Sequence, residues 1–159
     1  MSLETILLAV GSEDEHRAER LAAEAIAVAE PTDAMVVLAH VFDAEEFDAV
    51  RERLGVERAS EGSTPNAVAT RHTTTRAISR ALSAAEVEHT IRGAVGTHAD
   101  EIVELAEAVD ADRVVVGGRR RSPTGKAVFG SVAQDVLLSA PCPVTFVRAE
   151  TAERTRVAP

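Results

Sequence analysis

Five short apolar runs alternate along the chain with stretches whose apolar residues recur at helical spacing. The first run, Ile6 to Val10, is closed by Gly11-Ser12. From about Glu13 to Glu30 the residues Leu21, Ala25, Val28 and Ala29 then fall on one helical face. Pro31 and Asp33 punctuate before the second run, Met35 to Phe42. A strand, a helix and a strand with no hairpin signal between them predict a parallel crossover pair.

The middle of the chain carries weaker signals. Asp43 to Leu54 reads as a short acidic helix, and Gly55 to Pro65 as a loop rich in Ser, Glu and Gly. Asn66 to Ala85 reads as one helix, with the β-branched run Thr73-Thr74-Thr75 as its weak point. Val87 to Val95 mixes apolar and polar positions, as a strand near a sheet edge does. The last third is more regular. A helix starting at Thr97 or Asp100 places Ile102, Leu105, Ala106 and Val109 on one face. Arg113 to Val116 is the fourth strand, and a Gly- and Arg-rich loop covers Gly117 to Phe129. A helix opening near Gly130-Ser131 carries Ala133, Val136, Leu137 and Ala140, and is stopped by Pro141 and Pro143 before the strand Val144 to Val147. The expected fold is therefore α/β: one domain, a five-stranded parallel open sheet of the Rossmann-like kind with helices on both faces, over residues 1–150 with a tail at 151–159.

Charge and composition narrow the partners. With 26 acidic against 17 basic residues and a net charge of −9, neither nucleic acid nor an anionic membrane is a natural partner. No apolar run approaches the roughly 20 residues of a membrane span. Met1 to Thr5 lacks the basic start of a secretory signal, and Cys142 is the single cysteine, so a cytoplasmic location is expected. Lys126 is the single lysine; acid excess, scarce lysine and few aromatics together resemble proteins of salt-loving microbes.

In open parallel sheets ligands bind beyond the carboxyl ends of the strands, which selects the loops after Val10, Phe42, Val95 and Val116. The last of these, Gly117 to Lys126, combines glycines, four cations and a following helix N-terminus, a setting that suits phosphate; the alternative is a solvated basic loop. It is not a Walker A loop, because Arg120 stands at the first glycine and Ala127 at the magnesium-binding hydroxyl. Elsewhere, His40 reads as a packed, hydrogen-bonded residue of an apolar strand, and His16, His72, His89 and His98 show no metal-ligand spacing. Cys142 reads as a packed thiol, and the acidic patch from Asp43 to Asp48 as a solvated helix face. No motif for a catalytic triad is present, and no metal ligands are assigned.

Several segments agree in order with one known family. Val-Val-Val-Gly-Gly-Arg-Arg at 114–120, Gly-Ser-Val-Ala at 130–133, Ala-Pro-Cys-Pro-Val at 140–144, the first strand with Gly-Ser-Glu, and Leu-Ala-His-Val at 38–41 resemble the universal stress proteins. That family's nucleotide signature is Gly, two residues, Gly, nine residues, then Gly and Ser or Thr; here Gly117, Arg120, Gly130 and Ser131 occupy its positions. The resemblance implies strand order 3-2-1-4-5, a homodimer formed through Val144 to Val147, and ATP or AMP as ligand, with Mg as a possible companion. It implies that Gly117, Gly130 and Ser131 hold phosphate and ribose, with helix-start N–H groups at Val132 and Ala133. Val41 would meet adenine through its backbone, Ala9 and Val10 would wall the base, and Val116 and Arg119 complete the ring. The chain departs from the family at two positions: Gly11 stands where nucleotide-binding members commonly carry aspartate, and Arg120 replaces the second glycine, at roughly 1–2 kcal/mol if that position is left-handed. Three readings follow: a nucleotide-binding regulatory module, a member that has lost the nucleotide and needs no cofactor, acting through dimerisation and partner contacts, and, third, a slow ATPase for which no catalytic residue is identified.

Overall fold

The computed structural model describes residues 3–57, 60–118 and 130–148. Its strands are β1 (Thr5–Val10), β2 (Met35–Phe42), β3 (His89–Val95), β4 (Arg113–Gly118) and β5 (Val144–Arg148). Its helices are α1 (Ala18–Thr32), α2 (Ala44–Leu54), α3 (Pro65–Arg71), α4 (Thr73–Ala84), α5 (His98–Ala108) and α6 (Ser131–Ser139), with short 3-10 turns at Ser12–Arg17 and Glu61–Ser63. The five strands form one parallel sheet in the order β3-β2-β1-β4-β5. This is the expected doubly wound, Rossmann-like arrangement.

The central strand explains its own sequence. Ile6, Leu8 and Val10 pack with Leu21, Ala25, Ile78 and Leu82 of α1 and α4. Leu7 and Ala9 pack on the opposite face with Ile102 and Ala106 of α5 and Ala133 and Val136 of α6. A strand covered on both faces has no solvent side, so its apolar residues run without alternation. At the sheet edge β3 alternates part-buried with exposed positions, as its mixed sequence predicts.

Four local differences have physical causes. The stretch from Glu13 begins as a 3-10 turn and becomes α-helical only at Ala18; α1 then runs past Pro31 to Thr32. A proline in the last turn removes one backbone bond, while the Thr32 hydroxyl donates to the Val28 carbonyl at 2.7 Å and Asp33 ends the helix at φ 58°. The helix expected from Asn66 to Ala85 is two helices, broken at His72 (ψ 138°), whose Nδ1 accepts the Thr74 N–H at 3.2 Å and so caps α4. Strand β4 continues through Gly117 and Gly118, which pair with Val147 and Arg148 and are not loop residues. A Cβ on Gly118 would meet the Phe146 ring at 2.6 Å, so packing requires that glycine.

His40 is packed as expected, fully buried, stacked on Phe42 and tilted against His72, with ring centroids 4.2 and 4.3 Å away. The expected hydrogen bonds are missing: neither ring nitrogen has a partner among the described residues. Burial above all, then the neighbouring His72, lowers its pKa to about 3, so the ring is neutral. Cys142 is half-buried and free, and burial pushes its thiol up, as a packed thiol requires.

Candidate functional site

Strand order reverses between β1 and β4, and beyond their carboxyl ends lies a cleft of about 690 Å³. That falls within the ~300–1,000 Å³ of small-molecule sites. Ten of the residues singled out from the sequence line it. Ala9, Val10 and Gly11 come from the end of β1, Val41 from β2, and Val116 and Gly117 from β4. Gly130, Ser131, Val132 and Ala133 form the opening turn of α6. The other two, Arg119 and Arg120, lie outside the described residues.

The α6 end of the cleft is made of backbone. Gly130 caps the helix at φ −64° with no side-chain hydrogen bond, and a Cβ built on it meets nothing within 4 Å. The first N–H groups of a helix have no intrahelical partner and carry the positive end of its dipole. This end therefore offers donors and open space.

The β1 and β2 ends carry a polar framework, of which the sequence reading singled out only the acidic patch from Asp43 to Asp48, as a solvated helix face. Asp14 Oδ2 accepts the Gly11 N–H at 2.8 Å, and Asp14 Oδ1 accepts Arg17 Nε at 2.5 Å. Both residues are buried, at 7% and 8% exposure, and both line the cleft. Glu46 of α2 joins three segments: the Ser12 hydroxyl donates to Oε2, while the Asp43 N–H (2.8 Å) and His98 Nε2 (3.0 Å) meet Oε1. Burial opposes ionisation of Glu46, but the hydrogen bonds from Ser12, Asp43 and His98 outweigh it and hold the carboxyl below its ordinary range. The acidic patch is thus only partly a solvated face, since Glu46 is half-buried and braces the cleft. The proximity of Asp14 and Arg17 to a strand end, three residues apart, was the signal available for that pair. Nothing local in the sequence links Ser12, Glu46 and His98.

Gly117 supports this framework. A Cβ there would stand 2.8 Å from Arg17 Nε and 3.0 Å from Asp14 Oδ1, so glycine makes room for the ion pair. Gly11, by contrast, has only the Val41 carbonyl near a built Cβ, at 3.8 Å. Among the described residues, Asp43, Glu46 and His98 form one group able to hold a metal, with donor atoms within 4.8 Å of one another. Both Glu46 oxygens are committed to protein donors, so the group acts as a brace.

Fold and cleft define a doubly wound α/β protein with a cleft of small-molecule size at the topological switch point. The model of the universal stress protein family matches residues 2–148, and the chain belongs to that family. It is 32% identical to a universal stress protein of Thermus aquaticus, over 91% of this chain and 98% of that one. A universal stress protein of Mycolicibacterium smegmatis is 44% identical over 59 residues, 36% of this chain; the match spans less than half of that relative's length, 45%. Among solved structures, a universal stress protein of Archaeoglobus fulgidus superposes with a TM-score of 0.64 at 24% identity, covering 93% of this chain and all of that one. The same organism's protein in complex with dAMP gives 0.60 at 22% identity, over 93% and 100%. A universal stress protein in complex with cAMP gives 0.61 at 21% identity, over 94% and 100%. These likenesses establish the fold. No helix among the described residues is long and apolar enough to cross a membrane.

Proposed function

We propose that the cleft binds an adenine nucleotide, AMP or ATP, and that the chain works as a nucleotide-responsive regulatory module with little or no turnover. The observation that carries this reading is the convergence of Gly117, Gly130 and Ser131 on one cleft, two of them at an uncapped helix start. Phosphate suits such a helix start, and the apolar wall of Ala9, Val10, Val41 and Val116 suits a purine ring. Structural neighbours in complex with dAMP and cAMP lend support. Any Mg²⁺ would ride on the phosphates of ATP, because Asp43, Glu46 and His98 are already tied together. Isothermal calorimetry of nucleotide-free protein in high salt tests the reading: micromolar binding of AMP or ATP is expected, and no heat contradicts it.

The second reading, a member without nucleotide, rests on Gly11, which contributes no side chain to the cleft. In that case interaction through dimerisation would carry the function. Under both readings β5 is the dimer edge: it is one of the two edge strands, with Val144, Thr145 and Phe146 part-exposed. Sedimentation equilibrium should then find twice the 16.8 kDa chain mass; a monomer at micromolar concentration contradicts this.

A further inference from the structure

We infer that Arg17 is an anion ligand of the cleft, presenting its guanidinium fork to the phosphate of the bound molecule. The inference rests on the nucleotide reading for the identity of that molecule, but its argument is local. Arg17 is more than nine-tenths buried, and Asp14 accepts from its Nε alone. The Nη1 and Nη2 groups make no hydrogen bond to any described residue, although Arg17 lines the cleft. These two groups are not among the fully enclosed unpaired polar atoms, so they keep surface open to the cleft, where an acceptor can meet them. Its planar fork matches phosphate oxygens in pairs.

Two neighbours make the placement deliberate. Asp14 is fully used, one oxygen on Arg17 and the other on the Gly11 N–H, so it fixes the guanidinium to the end of β1. Gly117 leaves the space in which the guanidinium lies, and any side chain there would displace it. The cleft thus has two sources of anion affinity on separate segments, the start of α6 and Arg17. A ligand bearing phosphate gains from both, whereas a nucleoside gains from neither.

The test is calorimetry of the full chain with AMP, adenosine and pyrophosphate, using wild type, Arg17→Gln and the double variant Asp14→Asn/Arg17→Gln. The double variant leaves no buried unpaired carboxylate, so it separates loss of a ligand from loss of folding. Both variants should bind AMP roughly ten- to hundred-fold more weakly, with adenosine affinity unchanged. Equal losses for AMP and adenosine, or unchanged AMP affinity in both variants, overturn the assignment while leaving the nucleotide reading intact. If wild type binds neither AMP nor adenosine, the nucleotide reading fails, and pyrophosphate decides on Arg17. Pyrophosphate binding lost on Arg17→Gln keeps the anion site; no pyrophosphate binding by wild type overturns it.

Discussion

On the β1–β2 side of the cleft, side chains hold one another in place: Asp14 ties Gly11 to Arg17, and Glu46 ties Ser12 to Asp43 and His98. On the α6 side nothing of the kind exists among the described residues, and the surface consists of free N–H groups behind Gly130. One wall is braced by side-chain hydrogen bonds; the other is ready for an acceptor. A site built this way keeps its shape through one wall and takes its ligand charge chiefly at the other. Arg17 is the element that belongs to both, anchored in the network and open towards the cleft.

The largest effect should come from the open wall. Gly130→Asp places a carboxylate against the phosphate position, where a Cβ has free space at an ordinary φ. It should lower AMP affinity more than a hundred-fold by calorimetry while leaving the melting temperature unchanged. Retained affinity would place the ligand elsewhere. Acid should act instead through His40, a fully buried residue near the end of β2. Its folded pKa of about 3 is below the ordinary 6.5, so the unfolded chain binds the extra proton between these values. Stability is therefore complete above about pH 6.5 and falls by up to about 1.4 kcal/mol per unit as pH drops towards 3. The pKa of His72 is lowered too, chiefly by burial, and adds in the same direction. Urea titrations across this range should show the slope, and His40→Leu should flatten it and raise stability at neutral pH.

Smaller changes sharpen the comparison. Gly117→Ala crowds the Asp14–Arg17 pair and should destabilise by roughly 1–3 kcal/mol with a parallel loss of AMP affinity. Glu46→Gln keeps the shape of the brace but weakens its bonds, at about 1 kcal/mol in denaturant titrations and with little change in AMP affinity. If Glu46→Gln instead abolished binding, the brace would be part of the ligand surface and the two walls would not be distinct.

The sheet and its helices were legible because strands buried on both faces, such as Ile6 to Val10 and Met35 to Phe42, leave unbroken apolar runs. The break at His72 was not. It arises from a side-chain cap on Thr74 and from the close approach of α3 to β3, where a Cβ on Gly93 would stand 2.0 Å from the Pro65 carbonyl oxygen. Neither has a local signature beyond the threonine run. At the cleft, glycines and a helix start were visible because they act through backbone in short segments. Asp14, Glu46 and His98 were not, because charged residues near loops look solvated until distant strand ends bring them together. Glu46 and His98 are 52 residues apart, and the parallel pairing of β2 with β3 makes them neighbours.

The central claim is that the cleft takes an adenine nucleotide through its phosphate. It is tested most directly by titrating nucleotide-free wild-type protein with AMP and with adenosine in the same high-salt buffer. Micromolar AMP binding with adenosine at least ten-fold weaker is the expected result. No binding of either, or equal binding of both, would contradict it.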